Sequence, residues 1–209
     1  MNMIENLAYK SAFKDAIQFT VAQGLGDQKR PLLTADVGVY QMARNVALDY
    51  LKAEAVPSIN SQNLGGTDGN FWFFGSQCGN VHYNAQARIK RNFLGMTVHL
   101  TIGGVDAVGA SAFPYTQADF ARDKANRPNK IRGHVWLTFG GEYIVDLTLG
   151  TWLANTKPFT HYGSIISGLA GALSFEEFPI KPCVLKKSTL VYTPVAVENQ
   201  ALFAIAPLA

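Results

Sequence analysis

The stretch GHVWLTFGGEYIVDLTLG, residues 133–150, constrains the fold more than any other part of the chain. Two runs of alternating residues flank Gly140-Gly141, which is the pattern of an antiparallel hairpin. Its register follows from what each turn would do to the two faces. A strict two-residue turn at Gly140-Gly141 pairs His134 with Leu147 and sends Asp146 to the opposite side of the sheet. A three-residue loop over residues 139–141 sets His134 directly opposite Asp146, and one over residues 140–142 sets them diagonally across. In either three-residue register Val135, Leu137, Tyr143, Val145 and Leu147 share one face. His134, Trp136, Thr138, Ile144, Asp146 and Thr148 share the other. The first set is a continuous apolar surface that the two-residue turn would scramble, so burial predicts that His134 and Asp146 meet.

Helical spacing precedes this hairpin. Ile4, Leu7, Ala8, Phe13, Ile17 and Val21 predict a first helix that ends at Gly24 and Gly26. A second is expected over residues 34–55, with Thr34 as N-cap and a buried stripe of Val39, Met42, Ala43, Val46, Ala47 and Leu51. After a polar loop and the aromatic run 71–74, Val81, Ala85, Ile89 and Phe93 predict a third helix that begins at Cys78 and stops at Leu94-Gly95. Residues 96–102 alternate as a strand that Gly103-Gly104 would turn. Residues 105–131 predict no element, residues 161–174 read as a glycine- and serine-rich flexible segment, and residues 188–197 read as a strand. Helices first and antiparallel strands afterwards make an α+β class, expected as one domain over residues 1–209.

At 48% hydrophobic and 16% charged residues, the 209-residue chain can bury a sizeable core, which excludes a disordered tail. A formal charge of +3, from 18 Lys+Arg against 15 Asp+Glu, is too small and dispersed to indicate nucleic-acid binding. No apolar run approaches the ~18 residues of a membrane span. The N-terminal segment, carrying Glu5 and Asp15, does not read as a signal peptide. The expected location is therefore cytoplasmic, with export by a specialised secretion route compatible with an unmarked N-terminus. Cys78 and Cys183 lie in different settings and are expected as free thiols.

Cys78 opens a predicted helix, where unpaired backbone N–H groups and the helix dipole favour a thiolate. A cysteine nucleophile also needs a base, and the base needs an acceptor to fix its tautomer. His134 and Asp146 are those two residue types on adjacent strands.

Together, GSQCGNVHYNAQARIKRNFLGMTVHLTIGG and GHVWLTFGGEYIVDLT resemble the transglutaminase-like core of the papain-like cysteine protease superfamily. The matching features are Gln77-Cys78 at the helix start, Leu94-Gly95 at its end, His134-Val135-Trp136 on one strand and Tyr143-Ile144-Val145-Asp146 on the next. They cover residues 71–150. The resemblance implies a papain-like fold with a central nucleophile helix packed on an antiparallel sheet. It implies a Cys78–His134–Asp146 triad performing acyl transfer at an amide carbonyl, and an oxyanion hole built partly from the Cys78 N–H. Trp72, then Gln77, are the candidate second donors, with Asn70 also in reach of the preceding segment. Gly79 stands where transglutaminases proper usually carry Trp, which favours hydrolysis over protein crosslinking.

No short His, Cys, Asp or Glu spacing matches a zinc site, so neither metal nor cofactor is expected. His82 reads as a half-exposed helix residue, His99 as a satisfied sheet residue and His161 as a loop residue. The basic stretch from Arg122 to Arg132 reads as a solvated loop or as a rim that selects an anionic substrate. The expected partner is a protein or peptide substrate, with room for an inhibitory or activating protein.

Overall fold

The computed structural model describes residues 3–26, 36–55, 57–58, 77–107, 110–128, 130–154, 164–170, 172–177 and 190–206. Its helices are α1 (Met3–Ala22), α2 (Val37–Tyr50, continuing as a π-helical turn over Leu51–Ala55), α3 (Cys78–Asn92), α4 (Gln117–Asn126), α5 (Leu149–Ala154) and α6 (Asn199–Ile205). Its strands are β1 (Val98–Ala107), β2 (Ala110–Phe113), β3 (His134–Phe139), β4 (Tyr143–Asp146), β5 (Ser164–Leu169), β6 (Ala172–Glu177) and β7 (Leu190–Val197). The class is α+β, with a curled antiparallel sheet.

The sheet is organised by β1, which pairs with β2, β3 and β7, while β4, β5 and β6 continue outward from β3. Gly103-Gly104 does not turn this strand, contrary to the sequence expectation, and β1 runs through both glycines to Ala107. The glycines serve close approach instead. A Cβ at Gly103 would overlap the Thr193 carbonyl oxygen of β7 and lie 2.8 Å from the Trp136 ring of β3. The pairing of β1 with β7 also shifts register between Ile102 and Gly103, a bulge-like irregularity that a residue without a side chain accommodates.

The β3–β4 hairpin has the three-residue loop 140–142, pairing Phe139 with Tyr143 and Leu137 with Val145. Gly140 and Gly141 adopt φ of 57° and 72°, which L-residues with side chains disfavour. His134 is therefore diagonal to Asp146, one of the two registers the apolar face allowed. Both faces are buried rather than one. Val135, Leu137, Val145 and Leu147 pack against α2, α3 and α6, while Trp136 and Ile144 pack against α1 and α5.

Several other expectations are corrected. The N-cap of α2 is Asp36, whose carboxylate accepts from Gly38 and Val39 N–H, and Met42 is exposed. The buried stripe of α1 is Tyr9, Phe13, Ala16 and Thr20, whereas Leu7 points outward. Tyrosine and threonine escaped an apolar count although their polar ends find partners inside. Residues 105–131 contain β2 and α4, the latter opened by a Thr116/Asp119 capping box. The glycine- and serine-rich segment supplies the β5–β6 hairpin. α6 had no sequence signal that the apolar count registered. Among the described residues no helix is long and apolar enough to cross a membrane.

Gly103→Ala should destabilise the fold by about 3 kcal/mol, since backbone and a buried indole must both move. Urea unfolding monitored by circular dichroism reads this, and an unchanged midpoint would contradict the close packing of β1 on β7.

Candidate active site

Asp146 ends β4, and its side chain explains why the strand stops there. Oδ1 accepts from the N–H groups of Thr148 and Leu149, each at 3.0 Å, and so turns the chain into α5. Oδ2 accepts from His134 Nε2 at 2.6 Å and from Tyr192 Oη at 2.8 Å. The carboxylate is fully buried. Burial raises its pKa, but the His134 charge, the hydrogen bonds and His82 outweigh this and hold it down at about 2.

His134 opens β3 and is also fully buried. Phe113 stacks on its ring at 4.9 Å between centroids, and Trp136 stacks at 6.2 Å. Burial alone would lower its pKa. The charge of Asp146 and its hydrogen bond, aided by Cys78, reverse this and push the pKa up to about 10. His134 is therefore imidazolium at neutral pH, with one proton committed to Asp146.

Cys78 is the first residue of α3 and 8% exposed. Its thiol neighbours the His134 imidazole closely enough to act on its proton affinity. Nδ1 is the ring atom left for it, because Nε2 is held by Asp146. That nitrogen is buried and closes no hydrogen bond of ordinary geometry at rest. Cys78, His134 and Asp146 thus form one chain of contacts across α3, β3 and β4.

His82 is not the half-exposed residue its position suggested. It is fully buried beside the other three. Nδ1 lies 2.7 Å from the Cys78 carbonyl oxygen, which can only accept, so Nδ1 carries the proton. Nε2 then accepts from Leu147 N–H at 2.9 Å. Both partners demand the neutral ring, and Asp146 Oδ1 at 3.6 Å does not form a hydrogen bond with it. Burial, joined by the His134 charge, lowers its pKa to about 4 against the pull of Asp146 and the Cys78 carbonyl. The sequence carried a signal for this placement: His82 is four residues from Cys78 and adjoins the buried stripe of Val81, Ala85 and Ile89.

Gln77 stands at the N-cap of α3 with φ −96° and ψ 27° and offers no side-chain cap. Its Oε1 accepts from Asn80 Nδ2 at 2.8 Å, which keeps its side chain along the first helical turn. Trp72, Asn70, Thr34, His161, Cys183 and the aromatic run 71–74 lie outside the described residues. Sequence reasoning missed Tyr192, 46 residues beyond Asp146, because no local pattern links them.

The basic stretch is not a free loop, since α4 runs through its first half and several of its charges are paired although Arg122, Arg127, Lys130 and Arg132 remain exposed. Arg122 pairs with Asp119, Lys124 donates to the Gln23 carbonyl at 2.6 Å, and Arg132 pairs with buried Asp123. Asp123 also accepts from Tyr115 Oη at 3.0 Å, and the Tyr115 ring fills the space where Gly133 lacks a Cβ. This cluster fixes the chain immediately before His134. His99 hydrogen-bonds through Nδ1 to Glu198 at 2.8 Å, while its buried Nε2 finds no partner. Among the described residues no group of three His, Cys, Asp or Glu side chains is arranged to hold a metal ion.

Comparison with family models, with curated proteins and with solved structures finds no match.

The two histidines predict opposite pH slopes. An unfolded His82 takes up a proton near 6.5 and the folded one only near 4, so its contribution to stability falls as pH drops through that window, by on the order of 3 kcal/mol. For His134 the folded pKa is the higher one, so its contribution is full below 6.5 and disappears as pH rises towards 10. Urea midpoints across pH 4–10 should show a shallower acid slope in His82→Gln and a shallower alkaline slope in His134→Gln. Unaltered slopes would contradict the assigned protonation states.

Proposed function

We propose that the chain is a cysteine-dependent acyl-transfer enzyme that cleaves an amide bond through a thioester. The observation that carries this reading is the 2.6 Å hydrogen bond between His134 Nε2 and Asp146, made by a ring whose remaining nitrogen is left for a cysteine at the head of a helix. A buried carboxylate paired with a raised histidine next to a thiol is the arrangement expected of an activated nucleophile rather than of packing alone.

Cys78 Sγ, as the thiolate of an ion pair with the His134 imidazolium, attacks the carbonyl carbon of the substrate, and the electron pair of the C=O bond moves to oxygen. The N–H groups of the first turn of α3 point along the helix axis towards that oxyanion, with the Cys78 N–H as one donor. Collapse breaks the C–N bond, and His134 gives its proton to the departing amine. Water then adds to the thioester carbon and returns one proton to His134, and the second tetrahedral intermediate expels the Cys78 thiolate and a carboxylic acid. Asp146 keeps the ring in the tautomer that faces Cys78 throughout.

This chemistry covers a peptidase, an amidase or a glutamine deamidase. Gly79 after the nucleophile favours water over an amine as the second acceptor, because the crosslinking enzymes that the sequence resembles usually place Trp there. The same resemblance supports a papain-like, transglutaminase-like fold, as does the order of elements: a nucleophile helix ending at Leu94-Gly95, then a strand, then the His134 and Asp146 strands.

Carbamidomethylation of Cys78 by iodoacetamide, followed by peptide mass analysis, tests the reading without a substrate. Cys78 should label rapidly below pH 7 and His134→Ala should slow it at least tenfold, whereas Cys183→Ala should leave the Cys78 rate unchanged. Labelling that rises only near the ordinary thiol pKa of ~8.5, insensitive to His134→Ala, would favour a binding module with an idle triad. Once a cleavable substrate is found, Cys78→Ala should abolish turnover and Asp146→Asn should reduce it less completely.

A further inference from the structure

The catalytic reading uses three side chains, but a fourth makes direct contact with the carboxylate. Tyr192 comes from β7, on the far side of β1 from the hairpin. Its hydroxyl donates to Asp146 Oδ2 at 2.8 Å, the same oxygen that accepts from His134 Nε2 at 2.6 Å. The hydroxyl is a reliable donor, because burial and the Asp146 charge keep its proton in place well beyond the ordinary tyrosine range. The ring is held edge-on to Trp136 at 5.0 Å, and Trp136 donates through Nε1 to Tyr9 Oη at 2.8 Å.

The consequence is geometric. Asp146 Oδ1 is fixed by two backbone N–H groups and Oδ2 by Tyr192, so the plane of the carboxylate is set by three donors before His134 contributes. An sp² oxygen directs two lone pairs in that plane. With one taken by Tyr192, the other is the single direction from which the imidazole can donate. We propose that Tyr192 is a positioning residue of the triad, holding Asp146 so that His134 presents Nδ1 to Cys78. The inference rests on the catalytic reading above.

Tyr192 also competes with His134 for the charge on Oδ2. Each donor withdraws electron density from the oxygen, so a stronger tyrosine donor leaves a weaker partner for the imidazolium, and a missing one leaves a stronger partner. The titratable groups that face this pair among the described residues are Cys78 and His82 from α3, Asp146 from β4, and Tyr9 from α1 beside Tyr192. None of them changes in number when the Tyr192 hydroxyl is altered. A purely structural tyrosine would fill space and leave the His134 titration where it is.

The test is the His134 titration midpoint, read by NMR on the full chain carrying ring-13C histidine and assigned with His134→Ala. Tyr192→Phe keeps the ring and removes the donor, and should move the midpoint up by about half a pH unit or more. Replacement of Tyr192 by 3-fluorotyrosine keeps the bulk and strengthens the donor, and should move it down. Opposite shifts support the assignment, and coincident midpoints in all three proteins overturn it. If Tyr192→Phe fails to fold, the fluorotyrosine arm decides alone. Iodoacetamide labelling of wild-type Cys78 separates the two readings: fast, His134-dependent labelling with immobile midpoints sinks only the Tyr192 role. Opposite shifts with an ordinary thiol at Cys78 sink the catalytic reading and leave Tyr192 as a clamp on Asp146.

Discussion

A carboxylate fully removed from water is the constraint around which this fold is arranged. Left unpaired, an ionised group there would take up a proton or draw in water, because its desolvation exceeds what any single hydrogen bond returns. Four donors converge on Asp146: two backbone N–H groups, the Tyr192 hydroxyl and the His134 imidazole. They come from the start of α5, from β3 of the same hairpin and from β7, the last being 46 residues away in the chain. Satisfying one charge therefore ties the hairpin to the strand beyond β1 and to the helix that follows, and the apolar cores on both faces close around that knot.

Two histidines share this environment and are driven in opposite directions by it. Both are fully buried, so desolvation pushes each towards the neutral form. His134 donates directly to Asp146 and is lifted to about 10, whereas His82 is offered an acceptor on one nitrogen and a donor on the other and falls to about 4. One is a stored proton and the other a neutral bracket between α3 and the end of β4. Placing two imidazoles 6.3 Å apart without repulsion requires this division, since two adjacent buried cations could not both be accommodated by a single carboxylate.

The part of this arrangement written in local sequence is the hairpin. Alternation restricts its register, and that restriction alone brings His134 and Asp146 together. The start of α3 at Cys78 was equally legible, because four-residue apolar spacing marked the helix and Leu94-Gly95 marked its end. What was not legible depends on distant partners. Gly103-Gly104 reads as a turn until β7 and Trp136 are known to press on it. Arg132 reads as a surface charge until Asp123 is found buried beneath it. Tyr192 carries no sequence mark of its role, since its only relation to Asp146 is made across the curl of the sheet. Local periodicity reports which side of an element is covered, and it is silent about which distant group does the covering.

The aromatic residues around His134 connect the two kinds of information. Phe113 covers one side of the imidazole, and Trp136 lies against it within a cluster that includes Tyr192 and Tyr9. Trp136 can occupy that place only because Gly103, paired with His134 on the neighbouring strand, has no side chain. The glycine that admits the β7 backbone is thus the same residue that lets an indole wall in the histidine. The fully buried ring is thereby left with Asp146 on Nε2 and with the Cys78 side chain as its other polar neighbour. The close pairing of β1 with β7 and the stacking of Trp136 beside the imidazole follow from one missing methyl group.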